Sequence, residues 1–157
     1  MKKKKAKQKS AAMRPETRSY LNLMGSPVWK AFAREDQISN AAQISVALSA
    51  RKALYALTNG QGAFEHLKEL LVTANAGMYL SEQGYGSDLQ DEIQLALHAL
   101  HNCLARAKNG EGFALGDSEA SAVSELLSMH EQQIRLADRA VMSAAIMESY
   151  KRMAKAL

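Results

Sequence analysis

Apolar segments with helical periodicity, separated by glycine-containing interruptions, dominate this sequence. The interruptions are Asn59–Gly62, Gly84–Gly86 and the stretch from Asn109 to Gly116. Between them, apolar residues recur every three or four positions, as on one face of a helix. No segment alternates apolar with polar residues over six positions, as a half-buried strand would. The pattern therefore predicts an all-α protein, a single helical bundle of four to five helices.

The helix boundaries follow from capping residues and glycines. The predicted helices are 27–35, 37–58, 63–81, 87 to about 108, and 117 to the terminus with a break near Ala137 as an alternative. Ser87 and Gln90 are expected to form a capping box, and Asp117 to cap the last helix. Segment 37–58 is apolar nearly all round the helical wheel, which predicts that it is the central, most buried helix. Trp29 and Phe32 are expected to anchor the first helix to the body.

Charge is divided unevenly along the chain. Residues 1–18 contain eight of the twenty Lys/Arg and one acid, Glu16, whereas the remainder holds twelve basic and fifteen acidic residues, a net charge of −3. Residues 1–14 offer little apolar surface to bury, so they are predicted to be a disordered Lys-rich tail on a helical bundle domain spanning 15–157. A mobile basic arm is typical of contact with a polyanion. The candidate nucleic-acid-binding residues are Lys2, Lys3, Lys4, Lys5, Lys7 and Lys9.

Candidate metal and catalytic residues each have a structural interpretation that is favoured. His98 and His101 have an i, i+3 spacing that can hold a metal, but the helical wheel places them on the exposed side or its flank, whereas Cys103 points toward the apolar stripe. His130 lies in line with apolar residues and is interpreted as a core histidine that needs a hydrogen-bond partner. No catalytic set, cofactor site or metal site is predicted, and the chain is interpreted as a non-enzyme.

Arg51 stands out because it lies between Ile44 and Tyr55 on a segment with little polar surface. Two interpretations remain open. Arg51 can pair with an acid across the bundle, or it can mark a polar groove that a partner uses. Helix-turn-helix recognition of DNA is disfavoured because no basic helix follows a short turn.

Compartment and membrane association follow from what the sequence lacks. No run of eighteen apolar residues occurs, and no apolar run of seven follows the basic start before Arg14. The single cysteine leaves no internal disulfide to form and fits a reducing compartment. The chain is therefore expected to be cytoplasmic, with no membrane partner.

The body also resembles a known group. Two stretches carry the resemblance: ALSARKALYALTNGQGAFEHLKELLVTANAGMYLSEQGYG and DEIQLALHALHNCLARAKNGEGFALGDSEASAVSELLSMHEQQIRLA. Over residues 44–137 their order of helices and glycine loops is similar to a group of uncharacterised small all-helical proteins encoded by phages, prophages and integrative elements of Proteobacteria. The resemblance implies a mobile-element accessory protein. The Lys-rich tail departs from that group.

Two functional hypotheses follow. The first is a non-catalytic interaction protein of a phage or mobile element, for example an inhibitor of a host defence system (anti-CRISPR-like), which binds a host or phage protein or nucleoprotein complex. The alternative is a non-sequence-specific nucleic-acid-binding accessory protein that acts through the basic tail. The apolar residues of the last predicted helix, Met142, Ile146, Met147, Tyr150 and Met153, also leave a homodimer open.

Overall fold

The computed structural model describes residues 38–157, which form five α-helices and contain no strand. The helices are α1 (Asn40–Thr58), α2 (Phe64–Glu82), α3 (Gln90–Lys108), α4 (Asp117–Leu136) and α5 (Arg139–Ala156), and a 3-10 turn, Ser87–Leu89, precedes α3. Within this part of the chain, the predicted all-α bundle is confirmed. The predicted tail, residues 1–14, and the predicted helix 27–35 lie outside the described residues.

The central helix is α2. It contacts all four other helices, most extensively α5, whereas α1 packs mainly on α2 and α4. Eleven residues of α2 are buried, but only six of α1. The prediction that segment 37–58 forms the most buried helix is therefore wrong. The physical reason is that α1 turns mostly alanines toward the core and leaves larger side chains outside.

Two groups of apolar side chains hold the bundle together. The larger is built on leucines of α2 and on the predicted stripes of α3 and α4, including Ile93, Leu100 and Leu127. Full burial of each such side chain contributes about 1.5 to 3 kcal/mol. The smaller group lies where α1 begins, and its buried members are Ile38, Ala42, Val46, Ala76, Leu80, Ile134, Ala137, Met142 and Ala145. Ile38, which lies two residues before α1, is thus already buried in a core.

Capping hydrogen bonds set the start of two helices. The Ala42 backbone N–H donates to Ser39 Oγ at 3.2 Å, which begins α1. The Val141 backbone N–H donates to Asp138 Oδ1 at 2.9 Å, which begins α5 after an extended Ala137. The alternative of a break near Ala137 is therefore confirmed.

Two predicted caps differ from the structure. Gly86, with a φ of 78°, leads into the 3-10 turn, so Ser87 and Gln90 form no capping box. At α4, Asp117 is the first helical residue and the Glu119 carboxylate accepts the Gly116 N–H at 3.0 Å. In both places the residue before the first turn is a glycine, which has no side chain to serve as the predicted cap.

The two loops at one end of the bundle contact each other closely. The Leu115 N–H donates to the Leu57 carbonyl at 3.1 Å, and a Cβ on Gly62 would lie 1.9 Å from the Phe113 carbonyl oxygen. Arg106 fixes the loop before α4 through a two-pronged pair with Glu119, at 2.9 and 2.6 Å. Only a glycine at position 62 permits this approach of the two loops.

The apolar face of α5 is covered within the chain. Met142 and Met153 are buried, and Ile146, Met147 and Tyr150 are half-buried. This arrangement corrects the expectation that the last helix presents an uncovered apolar face. The homodimer stays a prediction. Arg152 further ties α5 to α2 through two contacts with the Glu82 carboxylate, at 3.0 and 2.7 Å.

A search of the helices between residues 38 and 157 found none with the length and apolar character needed to cross a bilayer.

Candidate interaction surface

The outer face of α1 is apolar although it points away from the core. Ile44, Leu48 and Tyr55 are 65 %, 51 % and 63 % exposed. With Arg51 they occupy positions i, i+4, i+7 and i+11, which lie on one side of a helix. We call these four residues the α1 outer face. Large apolar side chains that cluster on one exposed face are typical of a binding surface, whereas single exposed ones need no explanation.

Small residues on the opposite side of α1 produce this arrangement. Four of its six buried residues are alanines: Ala42, Ala50, Ala53 and Ala56. Alanine carries no side chain beyond Cβ, so α1 can approach its neighbours closely while covering little apolar area. The helix therefore buries mostly small residues, with Val46 and Leu57 as the larger buried ones, and exposes three large apolar side chains. An ordinary amphipathic helix buries most of its large apolar residues.

Arg51 lies across the contact between α1 and α4. Its Nε and Nη2 approach Glu131 Oε1 at 3.1 and 3.0 Å. Nη2 also donates to Ser128 Oγ at 3.0 Å, and Nη1 donates to Ser124 Oγ at 3.4 Å. The three acceptors share one side of α4 through their i, i+4, i+7 spacing. Pairing with an acid across the bundle is confirmed. Glu131 compensates the charge of Arg51, and the hydrogen bonds fix the position of its guanidinium. The side chain nevertheless stays 38 % exposed at the surface.

A groove of about 440 Å³ opens beside the α1 outer face. We call it the α1–α4 groove. Its floor includes Ala47 and Ile134, and Arg135 is an exposed cation at its edge. Its lining residues are Asn40, Gln43, Ile44, Ala47, Leu48, Arg51, Glu131, Ile134 and Arg135. Arg51 therefore pairs with an acid across the bundle and also lines a groove.

A buried polar network supports α4 beneath the groove. His130 is 4 % exposed, and its Nδ1 lies 3.2 Å from Gln133 Oε1. Gln133 Nε2 donates to the carbonyls of Gly77 and Tyr85, at 3.0 and 2.9 Å. Since Oε1 must then accept, Nδ1 of His130 carries the proton. Burial lowers the pKa of His130 and outweighs the opposing effects of Gln133 and Glu131.

This network confirms His130 as a satisfied core histidine and adds Gln133, which the sequence reasoning missed. The available signal was a glutamine three residues after His130 on the same apolar stripe. Gln133 is 2 % exposed and joins α4 to α2 and to the loop after it. The network consequently acts as a fixed support, with no open face for a ligand.

His98 and His101 are both exposed on α3, as expected, and Cys103 is buried on the opposite side. Burial raises the pKa of the Cys103 thiol. Burial and the neighbouring His98 lower the pKa of His101. No group of three His, Cys, Asp or Glu in the described part of the chain could hold a metal ion.

The candidate nucleic-acid-binding lysines, Lys2 to Lys9, lie outside the described residues. Residues 38–157 contain ten Lys/Arg and thirteen Asp/Glu, a net charge of −3. Arg51 and Arg135 line the same groove, but Glu131 neutralises Arg51 there.

Comparison of the chain with protein-family models, with curated proteins and with solved structures found no match.

Proposed function

We propose that the protein is a non-catalytic interaction protein that binds another protein through the α1 outer face and the α1–α4 groove. The observation that carries the proposal is the exposure of Ile44, Leu48 and Tyr55 on one side of a helix whose other side is mostly alanine. Apolar side chains in such an arrangement gain free energy when a partner removes them from water.

The neighbouring residues favour protein recognition. Tyr and Arg are the side chains that most often carry binding energy at the centre of protein interfaces. Here Arg51 and Tyr55 stand one turn apart on α1, and the hydrogen bonds of Arg51 fix its guanidinium before a partner arrives. A side chain ordered in advance loses less entropy on binding.

The partner that we propose is a host or phage protein, alone or in a nucleoprotein complex. Support comes from the resemblance of residues 44–137 to proteins of phages and integrative elements, a setting rich in inhibitors of host defence. An anti-CRISPR-like inhibitor acts by occupying a surface of its target. An apolar helix face beside a groove suits that mode of action, since it requires no catalytic group.

The test is affinity capture from nuclease-treated host lysate with three forms of the full chain: wild type, Leu48→Asp and Leu95→Asp. Leu95 is the matched control, because it is 64 % exposed but lies on α3, which does not line the groove. We expect one stoichiometric complex with wild type and Leu95→Asp, and its loss with Leu48→Asp. Equal capture by all three forms would refute the proposal.

The alternative function is nucleic-acid binding by an accessory protein. The eight Lys/Arg among residues 1–18 favour it, through a sequence-independent attraction to phosphates. Replacing Lys2, Lys3, Lys4, Lys5, Lys7 and Lys9 with Gln should then abolish binding to an oligonucleotide of random sequence and flatten its salt dependence. Capture of a protein that survives nuclease and is unaffected by these six replacements would favour the first function.

A further inference from the structure

The start of α1 lies at the α1–α4 groove. Ile38 is buried in the smaller apolar cluster, and its carbonyl accepts a hydrogen bond from Gln43 Nε2 at 3.1 Å. Asn40 and Gln43 both line the groove. Ile38 therefore lies only six residues before Ile44, the first residue of the α1 outer face.

The segment that precedes this junction is strongly apolar. Residues 20–32 hold seven large apolar side chains, and their only charged residue is Lys30. The seven are Tyr20, Leu21, Leu23, Met24, Val28, Trp29 and Phe32. Their composition is that of a segment that is buried in its native environment.

The connection is long enough for this segment to reach the α1 outer face. The chain between Phe32 and Ile38 spans up to about 20 Å when extended. The α1 outer face, from Ile44 to Tyr55, is only about 16 Å long. A tether of this length sets an effective concentration on the order of millimolar, which favours an intramolecular contact over an encounter with a separate molecule.

Charge is also complementary along the connection. Glu35 and Asp36 precede Ile38 by two or three residues. Arg135, an exposed cation, lines the groove together with Asn40 at the start of α1. The two acids would thus lie within reach of Arg135 when the apolar segment turns back toward α1.

We propose that residues 20–32 bind along the α1 outer face and the α1–α4 groove when no partner is present. This inference rests on the proposed function, because the segment and the partner compete for one surface. The partner gains the surface by displacing the segment. The apparent affinity for the partner is therefore lower than the affinity of an open groove. It equals the open-groove affinity multiplied by the fraction of molecules in which the segment is displaced.

The chain contains a single tryptophan, Trp29, which lies in this segment and reports directly on its burial. The experiment measures Trp29 emission and acrylamide quenching in the full chain, for wild type, Ile44→Asp/Leu48→Asp and the control Leu95→Asp. Circular dichroism checks that each form keeps its helices. The urea-unfolded chain supplies the value for an exposed tryptophan.

We expect blue-shifted, protected Trp29 emission in wild type and in Leu95→Asp. In the double variant we expect a red shift and a quenching constant that approaches the unfolded value. An unfolded-like Trp29 in wild type would overturn the proposal, and so would protection that the double variant leaves unchanged. Sedimentation of the same samples detects a dimer. If Trp29 protection and the dimer disappear together on dilution, the segment binds a second copy of the chain, which would also overturn the proposal.

Failure here is distinguishable from failure of the proposed function, since the fluorescence measurement needs no partner. A Trp29→Asp variant then links the two. It opens the groove, so it should capture the partner more tightly than wild type does. Weaker capture by Trp29→Asp would contradict competition for one surface.

Discussion

Helices α1 and α2 have the same length and a similarly apolar composition, yet the bundle uses them differently. α2 buries eleven residues, including Thr73, Asn75 and Ser81, whose side chains each donate to a backbone carbonyl within their own helix. α1 buries mainly alanines and exposes Ile44, Leu48 and Tyr55. The difference teaches that apolar composition alone does not place a helix at the centre, because polar groups can be satisfied locally and large apolar ones left for another surface.

The sharpest test of this comparison truncates one leucine in each helix. Leu70 of α2 is fully buried, whereas Leu48 of α1 is half exposed. We expect Leu70→Ala to lower the free energy of unfolding by about 2 to 5 kcal/mol, because it leaves a cavity. Leu48→Ala should lower it by about 1 kcal/mol or less, because Leu48 belongs to neither core cluster and only residues 20–32 would cover it in the free protein. Urea denaturation of the full chain measures both, and similar losses would show that α1 is covered more firmly than residues 38–157 indicate.

The polar support beneath the groove gives the next largest effect. Gln133→Leu removes the donors to the Gly77 and Tyr85 carbonyls and the acceptor for His130. Buried polar groups left without a partner should destabilise the protein by about 1 to 3 kcal/mol each. Gln132→Leu is a control at a neighbouring exposed position. Equal unfolding midpoints for the two variants would contradict a structural role for Gln133.

The pH dependence of stability tests the same network through His130. Burial lowers the pKa of His130 in the folded protein, so the unfolded chain binds a proton more readily. Stability is therefore fully present above the unfolded pKa, near 6.5, and decreases as the pH falls from there toward the folded value. The pKa of His101 is lowered as well, so His101 contributes in the same direction.

His130→Asn keeps a polar side chain but cannot titrate in this range. We expect the free energy of unfolding of wild type to fall more between pH 7.5 and 5.5 than that of the variant. Gln132→Leu, at an exposed position that does not titrate, should retain the wild-type slope. Parallel pH profiles for wild type and His130→Asn would show that protonation of His130 does not affect the free energy of unfolding.

The smallest expected effect is at Arg51. Its pair with Glu131 is partly exposed on both sides, so Arg51→Met should cost less than about 1 kcal/mol of stability. The same substitution should nonetheless weaken partner capture, because it removes the fixed guanidinium from the α1 outer face. Loss of stability without loss of capture would assign Arg51 to the fold alone.

One-faced helices could be predicted well from the sequence. Helices α3 and α4 each have a single apolar side, marked by Leu100 and Leu127. Most of the residues that the helical periodicity predicts to be buried are therefore buried in the structure. The glycine-containing interruptions also marked the connections correctly. Arg51 could be singled out by its polarity on an apolar segment, and one of the two interpretations foresaw its pairing.

Other features depend on tertiary packing and could not be read from the same pattern. The sequence of a helix that is apolar on every side does not indicate which side faces the core. The extent of burial of α1 and α2 therefore could not be ranked from the sequence. The apolar face of α5 looked unpartnered, because nothing in its own sequence shows that α2 covers it. The role of Gln133 could not be predicted, because its hydrogen-bond acceptors, the carbonyls of Gly77 and Tyr85, lie far away in sequence.

The contact between α2 and α5 has a consequence for synthesis on the ribosome. α2 is complete once Glu82 is made, but the helix that covers it most extensively ends at Ala156. At about 5 to 20 residues per second, translation needs roughly 4 to 15 s to cross that interval. During this time one side of α2 lacks its native cover and is open to chaperones. Release of the nascent chain from such assistance should therefore coincide with the appearance of Arg152, whose contacts with Glu82 close the bundle.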